Sequence, residues 1–324
     1  MSLPPIPYEG LRGRAGMPFQ AEAPLVDTAN AAWLLGLPLL LTGEPGCGKT
    51  DFAFAVARWW SDLQGQPEVL EAYIRSDTRA RDLLYTYDAV RRFGDAQAAG
   101  VDGMARLRAA DVRNYIELAP LGEALHRPGR RVVLIDEIDK APRDLPNDIL
   151  RELAQGEFDI PEIDPSLQDE HLLHRKMGIP HRAEADRPFI IITSNNERQL
   201  PHAFLRRCVF YHLHPPEKER LLRIIDGWFP DLEKRRRGLR TAVAATYLHL
   251  RDQGVTKKPS TSEFIQWVDA LDRAPGVSAA QRQAVIDGRF AAKGAPWADL
   301  PGLGLLIKLP DDLESLGVKP GALA

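Results

Sequence analysis

The sequence predicts an α/β fold, a parallel sheet covered by helices, followed by a smaller all-helical domain. Two observations carry this prediction. Five short apolar segments, PLLL (38–41), VLEAYI (69–74), VVLI (132–135), FIIIT (189–193) and CVFYHL (208–213), alternate with helical stretches over the first two-thirds of the chain. Near-continuous Val, Ile and Leu without polar alternation is how strands buried on both faces read. After Pro215 and Pro216 the pattern changes, and apolar residues recur at three- and four-residue spacing in EKERLLRIIDGWF, LRTAVAATYLHLRDQ and STSEFIQWVDALDR.

The first strand runs into LLLTGEPGCGKTDF (39–52), which crowds three glycines and a proline ahead of a helical stretch, DFAFAVARWW. Glycine at this density means a sharp turn or a close approach to the backbone. The loop fits the template G-x-x-x-x-G-K-[ST], with Gly43, Gly48, Lys49 and Thr50 in the fixed places and Glu44, Pro45, Gly46 and Cys47 between them. Backbone N–H groups of such a loop and of the following helix cradle anionic oxygens. Lys49 is expected to reach the β- and γ-phosphates, and the Thr50 hydroxyl to take a Mg²⁺ position. The predicted class is therefore a P-loop NTPase αβα sandwich.

The third apolar segment lies in RRVVLIDEIDKAP and delivers Asp136 and Glu137 at its C-terminal end, where open α/β sheets place their ligand crevice. Asp136 is expected to hold the Mg²⁺ shell, partly through water, and Glu137 to orient and deprotonate an attacking water. The fourth segment ends in Thr193, Ser194, Asn195 and Asn196, and an asparagine there would lie between the glutamate and the γ-phosphate. Asparagine is equally at home in a turn. Arg206 and Arg207 precede the last strand, where an arginine could reach a neighbouring copy's nucleotide or simply end a helix.

The chain has 324 residues and a net charge of −3, so no overall positive field draws it to nucleic acid. No window approaches the run of about twenty apolar residues that spans a bilayer. Two cysteines, Cys47 and Cys208, lack the spacing of a metal site or disulfide framework, and the expected location is the cytoplasm. Cys47 reads as a small filler in preference to a redox-active thiol. His171, His174 and His181 lack a completing ligand set. The run KRRR (234–237) reads as a solvated helix face.

Taken together, these residues resemble the AAA+ ATPases and, within them, the MoxR-like branch. GEPGCGKT resembles Walker A, VVLIDEIDKAP Walker B, IIITSNN the sensor 1 strand, and LRRC the arginine-finger region. The resemblance covers residues 20 to 275. It implies a five-stranded αβα core at 1–215 with an N-terminal extension at 1–20, a helical lid at 216–275, and a C-terminal extension at 276–324. It further implies a hexameric or similar ring, with ATP and Mg²⁺ bound between subunits. By position, Lys49 and Thr50 would bind phosphate and metal, Asp136 would assist the metal and Glu137 would be the base. Asn195 would be sensor 1, and Arg207, with Arg206 as the alternative, the finger.

QGEFDIPEI resembles an extra hairpin of the MoxR-like clade, and SDTRARDLLYTYDAVRRF its insertion after the second strand. Members of this branch are regarded as chaperone-like remodelling machines, which implies a protein partner such as one with a von Willebrand factor A domain. One departure stands out in KKPSTSEF, where Ser262 occupies the place of a sensor 2 arginine and Lys257 or Lys258 is the candidate substitute. Two other functions stay open: a nucleotide-gated assembly scaffold with little turnover, and a nucleic-acid motor or loader.

Overall fold

A computed structural model describes residues 5–64, 69–100, 102–127, 129, 131–167, 172–178 and 187–319. It contains β1 (Leu39–Gly43), β2 (Val69–Tyr73), β3 (Tyr85–Tyr87), β4 (Ile116–Leu118), β5 (Val132–Asp136), β6 (Glu157–Asp159), β7 (Lys176–Gly178), β8 (Phe189–Ser194) and β9 (Val209–Leu213). Five of these form the predicted parallel sheet, in the order β2-β5-β8-β1-β9. The three interior strands are almost wholly buried, while the outer two, β2 and β9, are only partly covered. Apolar runs thus reported burial on both faces most faithfully at the centre of the sheet.

Register fixes what the sheet presents at its C-terminal edge. Leu41 pairs with Thr193 and Thr42 with Ser194 across β1 and β8, while Ile135 pairs with Ile192 across β5 and β8. The strands β1, β8 and β5 therefore end level with one another. With neighbouring strands about 4.8 Å apart, the ends of β1 and β5 lie about 10 Å from each other.

The chain divides into two compact units. The first contains residues 23–42 and 56–211. Its core joins the sheet, through Val133, Ile135 and Ile192, to Leu121, Leu145, Ile160 and Phe204. Two small antiparallel pairs, β3 with β4 and β6 with β7, belong to this unit. One strand of each pair, β3 and β6, falls within the two stretches that resemble clade-specific insertions. Tyr85 ties them together: its ring stacks on Phe158 at 6.4 Å and its hydroxyl donates to Glu162 Oε2 at 2.8 Å.

The second unit comprises residues 8–22, 43–55 and 212–324. Its core is helical and centres on Leu221, Val243, Tyr247, Phe264, Trp267 and Leu271. The segment after residue 276, where periodicity is weak, adds Phe290, Trp297, Leu303, Leu306 and Ile307 to that core. Trp267 links the two stretches by donating Nε1–H to the Pro301 carbonyl at 2.8 Å. Asp312, 2% exposed, accepts the N–H groups of Thr256 at 2.6 Å and Lys257 at 3.0 Å, fixing the turn before the helix Thr261–Arg273. That helix is started by a capping box between Ser260 and Glu263.

Candidate functional site

The loop after β1 turns on glycines that no other residue could replace without movement. Gly46 has φ +71°, and a Cβ there would stand 2.8 Å from Ser260 Cβ and from Ser262 Oγ. Gly43 has φ +145°, and a Cβ would meet the Leu213 carbonyl oxygen at 2.6 Å. Lys49 opens the helix Lys49–Gln64 and is 6% exposed, with Nζ donating to the carbonyl oxygens of Gly43 at 2.8 Å and Glu44 at 3.0 Å. The loop is therefore a compact, amide-rich bend with its lysine folded along it, and Thr50 sits in the first turn of the helix.

Beside the loop, within the same unit, lies a cleft of about 540 Å³ including the space open to solvent. Gly46, Cys47 and Gly48 form part of its lining, with Phe19, Ile224, Trp228 and Ile265 supplying apolar surface. The N-terminal stretch is built into this cleft: Phe19 packs on Phe52 at 5.8 Å, and Arg220 donates to the Gln20 carbonyl and pairs with Glu22. Sequence reasoning assigned residues 1–20 to an extension and missed this contribution. The stretch is rich in Gly and Pro and has no periodicity that would signal it.

At the end of β5 the carboxylates are set by the neighbouring strand. Thr193 Oγ1 donates to Asp136 Oδ1 at 2.5 Å and accepts the Glu137 N–H at 2.9 Å. Glu137 has φ +59°, a left-handed conformation uncommon for a residue with a side chain. Asn195 Nδ2 donates to Glu137 Oε1 at 3.1 Å, and Lys140 Nζ donates to Oε2 at 2.5 Å. Of the two asparagines left open by the sequence, Asn195 joins the cluster. Asn196 is exposed, has φ +59° and donates its N–H to Ser194 Oγ, as a turn residue does.

Asp139 and Lys140 were not singled out from sequence, and Thr193 was named there only as part of the polar end of its strand. Asp139 is 3% exposed and accepts the N–H groups of Asn195 at 3.2 Å and Glu197 at 2.9 Å. It thereby holds the loop after β8 against the loop after β5. The signal was present, since Asp139 repeats the acidic pattern of IDEID, but alternation alone does not say which carboxylate turns inward.

Arg206 and Arg207 are exposed at the end of the helix His202–Leu205. Ser262 Oγ donates to the Gly46 carbonyl at 3.2 Å, whereas Lys257 and Lys258 are exposed. A cation from the helical region does touch the loop, but it is Arg251, whose Nη2 donates to Glu44 Oε2 at 2.7 Å.

Burial raises the thiol pKa of Cys47 and pushes that of Cys208 up to about 12, so neither has the acidity of a redox-active cysteine. The basic run at 234–237 is largely engaged: Lys234 pairs with Asp231, and Arg235 and Arg236 with Asp272. His171 and His181 lie outside the described residues. Among those described, no cluster of His, Cys, Asp and Glu suited to a metal ion occurs, and no helix is long and apolar enough to cross a membrane.

The chain is similar to a known family over its sheet-forming region. The model for the AAA domain, dynein-related subfamily, matches residues 38–208, just over half of the chain. No curated protein matches the chain.

Proposed function

Since this chain belongs to the AAA domain family, dynein-related subfamily, we propose that it is a Mg²⁺-dependent ATPase. In this reading residues 43–50 cradle the triphosphate, and Lys49 turns from the loop carbonyls to the phosphates. The observation that supports it is the level ending of β1 and β5 on either side of β8, since β1 leads into the glycine loop and β5 into the paired carboxylates. Thr50 and Asp136 offer the hard oxygen donors that Mg²⁺ prefers, and the metal, when bound, would neutralise charge on the phosphates. Asp136 is oriented by Thr193, while Glu137 accepts the proton of the attacking water and Asn195 holds its carboxylate in place.

We further propose that copies assemble into a ring in which Arg207, or Arg206, reaches a neighbour's nucleotide. The exposure of both arginines supports this. Remodelling of a protein partner follows the family resemblance. A MoxR-like identity draws on the two insertions, and a von Willebrand factor A domain partner on the resemblance alone. A cytoplasmic location accords with the lack of a spanning helix among the described residues.

One observation favours slow basal turnover, as in a nucleotide-gated scaffold: both Glu137 oxygens are already engaged, by Asn195 and Lys140. Steady-state ATP hydrolysis by the purified chain, with Glu137→Gln and Lys49→Ala beside it, tests the enzyme reading. E137Q is expected to bind ATP and lose turnover by about 10²-fold or more, and K49A to lose ATP affinity. Unchanged turnover in E137Q rejects the base assignment, and an intact binding isotherm in K49A rejects the cradle.

A further inference from the structure

We propose that Arg251 is a positioning residue for the phosphate loop, neutralising the Glu44 carboxylate and thereby setting the loop's affinity for a nucleoside triphosphate. The proposal rests on the reading of residues 43–50 as the nucleotide cradle.

Arg251 ends the helix Leu239–Arg251 and is 9% exposed. Its guanidinium is fixed by its own unit: Nη1 donates to the Pro259 carbonyl, which also accepts the Tyr247 hydroxyl at 2.9 Å, and the group lies 5.8 Å from the centre of the Tyr247 ring. Tyr247 is fully buried and packs on Phe264 at 4.5 Å. A guanidinium held this firmly presents Nη2 to Glu44 Oε2 at 2.7 Å.

Glu44 is an awkward residue in an anion cradle. Its side chain is 42% exposed, and an unpaired carboxylate there repels an arriving triphosphate. Pairing with Arg251 makes the loop locally neutral, so Lys49 and the backbone amides act unopposed. The same contact pins the loop at residue 44, two residues before the grip that Ser260 and Ser262 exert at Gly46. Where the position of Ser262 lacks a cation, Arg251 supplies one from the same unit, aimed at the loop's own acid.

Calorimetric titration of the full chain with Mg-ATP and Mg-ADP tests this. Glu44→Asp keeps the charge but withdraws it from Arg251, and is expected to weaken ATP binding about fivefold, and ADP binding less. Glu44→Gln removes the charge and is expected to tighten ATP binding. Arg251→Gln is expected to weaken ATP binding about tenfold, with most of the loss regained in R251Q/E44Q. A purely structural arginine would not be rescued by neutralising its partner. Equal affinities for E44D and E44Q, or no rescue in the double variant, overturn the proposal. Should R251Q fail to fold, the two Glu44 variants decide alone. A parent chain that binds no ATP rejects the cradle itself, a separate outcome.

Discussion

Asn195 donates its side-chain N–H to Glu137 Oε1 at 3.1 Å, joining the end of β8 to the proposed base after β5. The second carboxylate oxygen is held by Lys140. The two contacts have opposite consequences. Asn195 directly follows the strand that also orients Asp136, so it fixes the carboxylate in the frame of the sheet. Asn195→Ala is expected to lower kcat by about 10²-fold with little change in KM for ATP, since misplacement of a base affects chemistry more than binding. Lys140 stabilises the charged carboxylate and so opposes proton uptake at that oxygen. Lys140→Met is therefore expected to raise basal turnover by up to about fivefold, the scale of an exposed ion pair worth about 0.2–1 kcal/mol. Steady-state kinetics of both variants checks this, and a slower K140M contradicts the restraining role.

Asp139 predicts a linked loss of stability and activity. Its buried carboxylate accepts two backbone N–H groups from the loop that carries Asn195. Asp139→Ala leaves those donors without their acceptor, at a cost of about 1–3 kcal/mol in urea unfolding. Because the loop is then free to shift Asn195, kcat should fall as it does in N195A. The double variant D139A/N195A should lose little more activity than either single variant, and additive losses would show that the two act independently.

The five strands, the glycine loop and the paired carboxylates were legible because each has a local cause: burial on both faces, a turn at positive φ, acids at a strand's end. What sequence missed depends on long-range placement. Phe19 and Arg220 meet around the cleft region from stretches that share no pattern, with Arg220 reaching Gln20 across the chain. Arg251 closes an ordinary amphipathic helix, and nothing in LHLRDQ says that its last turn faces Glu44. Weak periodicity after residue 276 hid core residues such as Phe290 and Trp297, because short helices and turns bury isolated side chains without repeating a period.

The cysteines provide a chemical check on packing. Burial alone takes the Cys208 thiol from 9.0 to about 12, which lowers its thiolate fraction at pH 8 by about 10³-fold. Cys47 is shifted the same way, although the nearby Lys49 partly opposes the shift. The native chain should react slowly with iodoacetamide at pH 8, and the urea-unfolded chain should take up two equivalents rapidly. Fast modification of Cys208 in the native protein, read by mass spectrometry, would contradict its burial.

The last prediction concerns His212 at the end of β9. Burial lowers its pKa first, and the nearby His214 and Lys49 charges lower it further, with Glu44 opposing. The rings of His212 and His214 meet edge to face at 4.8 Å. A histidine with a folded-state pKa below its ordinary 6.5 is protonated more readily in the unfolded chain, so its contribution to stability is fully present above pH 6.5 and is lost as pH falls through the folded value. The melting temperature of the parent chain should therefore drop between pH 7.5 and pH 5, and His212→Gln should flatten that slope. If residues 43–50 bind triphosphate, the added negative charge beside Lys49 favours the protonated ring, and saturating Mg-ATP should flatten the parent's slope as well. Parallel slopes for parent and H212Q would remove His212 from the pH response, whereas a slope flattened by H212Q but not by Mg-ATP would separate the histidine from the nucleotide.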